Sequence, residues 1–188
     1  MFNLKIIIGS TRPGRKGPAI ANWIYEKALT HNSFSVELLD LAAINLPFLD
    51  EAAHPRMKDY KHDHTKKWSA TIDRADAFIM VTPEYNYSMP APLKNALDFL
   101  FWEWAKKPVA FVSYGGMSGG IRSVQTLKQV VTTLKMMPLP ESIALPFFTK
   151  HLDEQGIFKS DEQLDKSATA LLDELEIWAA ALKTIRVK

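Results

Sequence analysis

The sequence predicts an α/β protein built on one parallel sheet with helices on both faces. Short apolar segments alternate along the chain with segments of helical periodicity, which is the order that a parallel sheet requires. Apolar residues make up 47% of the 188 residues and charged residues 23%, as in a globular protein. Five strands in this length favour the smaller doubly wound fold, with a single domain over residues 1–188.

The first strand is predicted at residues 4–8, an apolar and mostly β-branched run that ends at a glycine. From Pro18, apolar residues recur every three or four positions, which predicts an amphipathic helix whose first turn accommodates proline. Apolar and polar residues alternate over 34–40 and predict the second strand. An irregular stretch follows, and a polar helix is predicted over 57–73.

The second half of the chain continues the alternation of strands and helices. The predicted strands are 77–81, 109–113 and a weaker fifth one at 143–145, and the predicted helices are 93–104, 121–136 and 161–185. Pro140 and Pro146 bound the fifth strand, since proline cannot donate to a ladder. Crossovers in such a sheet are right-handed, and its ligands bind at the carboxyl ends of the strands.

Composition excludes several classes of function. Lys and Arg number 23 against 21 Asp and Glu, a net charge of +2, which is too small for the basic stripe of a dedicated nucleic-acid-binding protein. The chain has no cysteine, which excludes disulfides, thiolate zinc sites and thiol nucleophiles. No apolar run approaches the roughly 20 residues that span a membrane, and the N-terminus lacks a secretory signal. A cytoplasmic location is expected.

Residues 9–17 connect the first strand to the first helix and read Gly-Ser-Thr-Arg-Pro-Gly-Arg-Lys-Gly. Unpaired N–H groups and a partial positive charge at a helix N-terminus attract anions, and the loop adds hydroxyls and cations. The loop lacks both the Walker ending and the three-glycine dinucleotide fingerprint. A phosphate monoester site is therefore favoured, with a Gly/Pro turn carrying solvated cations as the alternative.

Residues 82–92 follow the third strand and contain three prolines, which fix much of the backbone. Tyr85 and Tyr87 supply flat apolar surface beside polar groups, as a flat conjugated ligand requires. A loop whose tyrosines pack in the core or at a subunit contact fits these residues equally well.

Residues 113–120 follow the fourth strand and hold half of the chain's 8 glycines. So many glycines predict positive φ angles or a close approach of the backbone to a ligand. Ligand contact is therefore favoured at this third loop.

The three loops together resemble the NADPH-dependent FMN reductase family, which includes quinone, azo-dye and chromate reductases. The resemblance rests on Gly-Ser-Thr-Arg-Pro-Gly-Arg after the first strand, Thr-Pro-Glu-Tyr-Asn-Tyr-Ser and Leu-Lys-Asn-Ala-Leu-Asp after the third, and Ser-Tyr-Gly-Gly after the fourth. It spans residues 5–127, whereas the chain from residue 132 matches only in general pattern. It implies a flavodoxin-like three-layer sandwich with a five-stranded parallel sheet in the order 2-1-3-4-5.

The resemblance also implies which residues hold FMN. Those at its phosphate are Ser10, Thr11, Arg12, Arg15 and Gly17, the last through its amide and where the family often has serine. Those along the isoalloxazine ring are Pro83, Glu84, Tyr85 and Asn86, with Tyr87 and Ser88 beside them. Those on the other side of the flavin are Ser113, Tyr114, Gly115 and Gly116. Ser118 and Arg122 are further candidates for the phosphates of the nicotinamide nucleotide.

The implied reaction is a ping-pong oxidoreduction that passes a hydride from NADPH or NADH through FMN to a small-molecule acceptor. No protein nucleophile is needed, since the cofactor carries the chemistry. A homodimer or homotetramer is also implied. A flavodoxin-type electron carrier that serves a protein partner is the alternative, although the near-neutral charge and the arginines of the first loop favour the enzyme. A scaffold that binds no flavin is a third interpretation.

Two further clusters stand out. His54, His62 and His64 lie near two aspartates, but His62 and His64 are predicted to face apart on a helix, so a solvated polar surface is favoured over a metal site. Aromatic residues concentrate over 99–104, which indicates a buried helix or an oligomer interface.

Overall fold

The computed structural model describes residues 1–186 and contains a five-stranded, all-parallel sheet. The strands are β1 (Phe2–Ile8), β2 (Phe34–Asp40), β3 (Ala77–Pro83), β4 (Pro108–Gly115) and β5 (Met137–Pro146), and their order in the sheet is β2-β1-β3-β4-β5. The α-helices are α1 (Gly17–Thr30), α2 (Leu41–Ile44), α3 (Asp63–Asp73), α4 (Ala91–Asp98), α5 (Ile121–Thr133) and α6 (Glu162–Arg186). The predicted fold class and the flavodoxin-like strand order are confirmed. The last two residues of the predicted domain, 187–188, lie outside the described part.

The core lies in two layers because successive strand residues point to opposite faces of the sheet. In β3, Ile79 and Val81 pack with α1 and α6, whereas Phe78 and Met80 pack with α3, α4 and α5. Every residue of β3 is buried, as expected for the central strand of a covered parallel sheet. None of the helices described over residues 1–186 combines the length and apolar character needed to cross a membrane.

The polar helix begins later than predicted. α3 starts at Asp63, and Pro55–Met57 forms a separate 3-10 helix. The carboxylate of Glu51 accepts the backbone N–H groups of Lys61 and His62 at 2.9 and 3.0 Å. These two amides therefore bind a side chain rather than carbonyls of a preceding helical turn, which explains the late start.

The prediction that His62 and His64 face apart is wrong. Their rings stack with centroids 5.2 Å apart and an interplanar angle of 5°, because His62 precedes the first helical residue and does not follow the helix geometry. Nε2 of His64 lies 2.9 Å from Oδ1 of Asp50. Among the residues that the structure describes, no group of three or more histidine and acidic side chains could hold a metal ion.

The aromatic segment is not a continuous helix. α4 ends at Asp98, and the chain continues to Trp104 in turns. Trp104 is nevertheless fully buried against Phe78, with ring centroids 5.0 Å apart. Phe99, Phe101 and Trp104 are therefore buried as predicted, whereas Trp102 is exposed and the helix does not extend past residue 98.

The fifth strand is longer than predicted. β5 runs over Met137–Pro146 and includes the prolines that were expected to bound it. As an edge strand, β5 has one side with no ladder to complete, so proline is tolerated there. The pairing with β4 shifts register between Val109 and Phe111, at the stretch opposite Pro140.

A buried carboxylate joins the amino ends of the sheet. Asp76 immediately precedes β3 and accepts the backbone N–H of Asn3 at 3.0 Å, Nη2 of Arg186 at 3.0 Å and Nζ of Lys183 at 3.3 Å. Burial by itself would raise the pKa of Asp76, but the Asn3 hydrogen bond and the two cations outweigh it and hold that pKa below its usual value. The start of β1, the start of β3 and the end of α6 are therefore linked at the pole opposite the carboxyl edge.

Candidate functional site

A cavity of about 460 Å³ opens at the carboxyl edge of the sheet. It lies among the connections that follow β1, β3, β4 and β5, and its volume suits a small molecule or cofactor. Nine of the residues predicted from the sequence line it: Ser10, Arg12, Arg15, Pro83, Glu84, Tyr85, Tyr114, Gly115 and Gly116.

Five other predicted residues do not line this cavity. Thr11 lines a neighbouring cavity of about 290 Å³, and Gly17 lies behind the cavity wall at the start of α1. Ser113 is buried and donates its hydroxyl hydrogen to a carbonyl of its own loop at 2.8 Å. Asn86 and Tyr87 form the exposed tip of the loop after β3.

The wall that follows β5 was not predicted from the sequence. Phe147, Phe148 and Thr149 line the cavity, and Phe147 is 57% exposed at its mouth. The N–H of Phe147 donates to the carbonyl of Gly116 at 3.0 Å, which ties this wall to the loop after β4. The rule that ligands bind at the carboxyl ends of parallel strands applies to β5 as well and would have indicated this segment.

Arg15 is engaged by an ion pair at one side of the first loop. Its guanidinium donates to both carboxylate oxygens of Asp40 at 2.5 and 2.6 Å and to the carbonyl oxygen of Ser10 at 2.6 Å. The Asp40 hydrogen bond raises the pKa of Arg15, and the same contact lowers the pKa of Asp40. Arg15 thus fixes the shape of the loop, whereas Arg12 is exposed beside it.

The N-terminus of α1 faces the same end of the cavity with its cap unfilled. Lys16 is the N-cap residue and makes no side-chain hydrogen bond to the helix, and the first turn carries no acidic residue. Pro18 has no N–H, and the N–H of Ala19 donates to the Lys16 carbonyl at 3.1 Å. The Gly17 amide is therefore the first-turn donor available to an anion at the positive end of the helix dipole. This end of the cavity therefore favours an anion.

The loop after β3 ends in a tight two-residue turn. Tyr85 and Ser88 exchange backbone hydrogen bonds of 2.9 and 3.0 Å around Asn86 and Tyr87, whose φ angles are +49° and +69°. A tyrosine in the left-handed backbone region costs of order 1 kcal/mol. A cation–π contact offsets this cost, since the Arg122 guanidinium lies 4.1 Å from the ring centroid of Tyr87. The turn therefore gives the loop a fixed shape.

Glu84 joins the loop after β3 to the loop after β4. Its carboxylate accepts the Ser118 hydroxyl at 2.9 Å, the Arg122 backbone N–H at 3.1 Å and the Arg122 guanidinium at 2.9 Å. Burial alone would raise the pKa of Glu84, but the hydrogen bonds from Arg122 and Ser118 outweigh it and lower that pKa. Ser118 and Arg122, which were expected at nicotinamide phosphates, thus bind Glu84 in this structure.

The residues of the cavity fit FMN. The unfilled helix N-terminus and Arg12 suit a phosphate, and Ser10 adds a hydroxyl that lies 3.2 Å from the Tyr85 hydroxyl. Pro83, Tyr85 and Phe147 supply apolar surface for a flat ring toward the open side. The cavity thus offers a positively charged wall for the phosphate and an apolar wall for the ring.

Comparisons with known proteins identify similar sequences and a similar fold. The family model described as NADPH-dependent FMN reductase matches residues 2–150. An NAD(P)H-dependent FMN reductase from Schizosaccharomyces pombe is 42% identical over 166 residues, which cover 79% of this chain and 82% of that protein. An FMN-dependent NADPH-azoreductase from Staphylococcus haemolyticus is 30% identical over 176 residues, which cover 90% of this chain and 91% of that protein. The solved structure of FerB, a flavoenzyme NAD(P)H:(acceptor) oxidoreductase from Paracoccus denitrificans, superposes with a TM-score of 0.78 at 20% identity, covering 96% of this chain and 98% of that one, and so shares the fold.

Proposed function

This chain belongs to the NADPH-dependent FMN reductase family, and from that premise we propose that the cavity at the carboxyl edge of the sheet is its FMN site. The protein is a flavin-dependent NAD(P)H oxidoreductase. One observation supports this location above the others: a single cavity combines an unfilled helix N-terminus and an exposed arginine with aromatic and glycine walls. We further propose that residues 1–188 form a single FMN-binding domain.

The first loop holds the phosphate in this proposal. Ser10, Arg12 and the amide of Gly17 bind it, and Thr11 lies at the edge of the group, next to the neighbouring cavity. Arg15 acts as a positioning residue, because its pairing with Asp40 and the Ser10 carbonyl orients the loop. Bidentate pairing of this kind fixes geometry that a lysine could not.

The two later loops hold the ring. The residues proposed on one side are Pro83, Glu84, Tyr85, Asn86 and Tyr87, and those on the other are Ser113, Tyr114, Gly115 and Gly116. Glu84 joins these walls by binding Ser118 and Arg122, which limits the conformational freedom that the two loops lose on binding a ligand. Bound FMN supplies the hydride chemistry. The protein's own residues bind, orient and shield it.

The open mouth serves both substrates in turn. Gly116 and Phe147 are exposed there, so NADPH or NADH can enter and leave before a small-molecule acceptor takes its place. Curated relatives include an NAD(P)H:quinone oxidoreductase from Solanum tuberosum and an NADPH azoreductase from Bacillus sp., and we propose quinones and azo compounds as acceptors for this chain. The alternative of an electron carrier is not favoured, since these relatives are reductases of small molecules.

We propose that the protein forms a homodimer or homotetramer through the side that carries α4. Phe48, Met57 and Trp102 are 86%, 70% and 44% exposed, and a patch of exposed apolar side chains marks an interaction surface. Hydrogen bonds from Leu49 to Asn95 and from Trp102 to the Arg56 carbonyl bring this apolar surface together around α4. Light scattering of the purified protein tests the assembly, and Phe48→Asp is expected to shift it toward monomer. We also propose a cytoplasmic location, which fractionation of the source cells tests.

Anaerobic reduction tests the activity directly. Protein loaded with FMN is expected to lose its yellow colour on addition of NADPH or NADH and to regain it when a quinone is added. Retained colour with both nucleotides would contradict the reductase and favour the carrier. Protein that binds no added FMN would support the third interpretation, a fold without flavin.

Arg12→Ala tests the location of the site. It is expected to raise the FMN dissociation constant at least tenfold, because a hydrogen bond to a charged group contributes about 1.5–3 kcal/mol. Arg74→Ala is the matched control, since Arg74 is an exposed arginine just before β3, at the opposite pole. Equal FMN affinity in the two variants would remove Arg12 from the site.

A further inference from the structure

The Tyr114 hydroxyl occupies the space that a side chain at position 17 would need. A Cβ atom added at Gly17 would lie 2.7 Å from the Tyr114 hydroxyl oxygen and 3.6 Å from the ring carbon Cζ. Real Cβ atoms essentially never approach another heavy atom within 3.0 Å. The hydroxyl therefore lies where a side chain at position 17 would lie, at the first residue of α1.

The surroundings fix this hydroxyl. Tyr114 is 4% exposed, and its ring packs edge-on against Phe148 with centroids 5.0 Å apart. Burial raises the pKa of Tyr114, while the Ser10 hydroxyl and the charge of Arg15 act in the opposite direction. At neutral pH the hydroxyl therefore keeps its proton, which it can donate in a hydrogen bond.

We propose that the Tyr114 hydroxyl takes the place of a side chain at position 17 and donates a hydrogen bond to the FMN phosphate. The inference rests on the proposed function, since it requires the phosphate at the N-terminus of α1. Tyr114 lines the same cavity as Ser10 and Arg12, and its hydroxyl lies within reach of the Ser10 hydroxyl. Tyr114 is then a phosphate ligand supplied by the end of β4, and this role replaces the one proposed above, in which it lay beside the flavin ring.

Two flavins distinguish a phosphate ligand from a packing residue. Tyr114→Phe keeps the ring and removes only the oxygen, so FMN affinity is expected to fall at least tenfold. Riboflavin lacks the phosphate, and its affinity is expected to change less than twofold. Both dissociation constants are measured by quenching of flavin fluorescence on titration with flavin-free protein.

Gly17→Ser tests the shared space without any flavin. The added Cβ collides with the Tyr114 hydroxyl, so the unfolding temperature of the flavin-free protein and the FMN affinity are both expected to fall. In Gly17→Ser/Tyr114→Phe the colliding oxygen is absent and a serine hydroxyl stands close to its place. The unfolding temperature is expected to recover from that of Gly17→Ser, and the FMN affinity to return within threefold of the wild type.

Several results would overturn the proposal. They are unchanged FMN affinity in Tyr114→Phe, an equal loss of FMN and riboflavin in that variant, and a double variant that binds FMN no better than Tyr114→Phe. Wild-type protein that binds neither flavin would instead contradict the proposed function itself. In that case the unfolding temperatures of the flavin-free variants still decide whether the two residues compete for space.

Discussion

Removing the Glu84 carboxylate tests the connection between two walls of the cavity. Glu84→Ala deletes the acceptor of three hydrogen bonds, from the Ser118 hydroxyl, the Arg122 amide and the Arg122 guanidinium. The Glu84 side chain is only 9% exposed, so water replaces the lost contacts incompletely. The loops after β3 and β4 should then separate more easily.

The size of the effect follows from the exposure of each partner. The Arg122 side chain is 46% exposed, so its guanidinium is hydrated when the pair is broken, and that contact contributes about 0–1 kcal/mol. The part-buried Ser118 hydroxyl loses a charged acceptor, and a hydrogen bond to a charged group contributes about 1.5–3 kcal/mol, whereas the exposed Arg122 amide finds water in its place. We expect a total loss of about 1.5–4 kcal/mol in the free energy of unfolding. For a chain of this length that lowers the unfolding temperature by roughly 3–16 °C.

The same carboxylate predicts a dependence on pH. The pKa of Glu84 in the folded protein lies below its ordinary value of 4.5, since the hydrogen bonds outweigh the opposing effect of burial. Its stabilising contribution is therefore complete above pH 4.5 and is lost as the pH falls through the lowered pKa of the folded state. The difference in unfolding free energy between wild type and Glu84→Gln should be constant above pH 4.5 and shrink below it.

Thermal and urea unfolding of the flavin-free proteins measure these differences. Glu154→Ala is the matched control, because Glu154 is an exposed carboxylate in a surface loop. Equal unfolding temperatures for Glu84→Ala and Glu154→Ala would refute the reasoning. So would a wild-type advantage over Glu84→Gln that stays undiminished in acid.

Two other substitutions test the loop after β4 and the opposite pole. Gly120→Ala is expected to lower the free energy of unfolding in urea by about 1–3 kcal/mol, because φ is +84° and a Cβ would lie 2.8 Å from the backbone nitrogen of Tyr114. Gly116→Ala is the control and should leave that free energy nearly unchanged, because a Cβ there would have nothing within 4 Å. Lys107 is 4% exposed, and burial lowers its pKa to about 8 from 10.5. Since the unfolded chain then binds more protons between these values, the wild-type free energy of unfolding should rise from pH 8 to 10.5, relative to Lys107→Met. A rise of the same size in Lys107→Met would contradict the assignment.

The fold was largely predictable because its central strands are continuous apolar runs. The apolar runs of β3 and β4 predict that both are strands and predict where they lie. Both strands also end in loops of unusual composition. β5 was underestimated because Pro140 argues against a strand, and only its edge position makes proline harmless. α3 was overestimated because Glu51, distant in sequence from the amides it binds, determines where the helix starts.

The sequence predicts most of the loops that line the cavity but not the contacts between them. The sequence places Ser10, Arg12 and Arg15 at the carboxyl edge of the sheet, but the pairing of Arg15 with Asp40 depends on the end of the neighbouring β2. The partners of Glu84 likewise come from the next loop. Phe147 follows a strand that was predicted too short, so its position at the mouth could not be recognised.

The hydrogen bonds of Asp76 with Asn3 and Arg186 have a practical consequence for engineering. They hold the start of β1 and the end of α6 at the amino edge of the sheet, which the seven residues of β3 separate from the cavity by about 20 Å. Libraries that vary the connections after β1, β3, β4 and β5 but keep Glu84 and Gly120 leave those bonds intact, so selection for new electron acceptors should cost little stability. A change at Asp76 should do the reverse, lowering yield while leaving acceptor choice as it was.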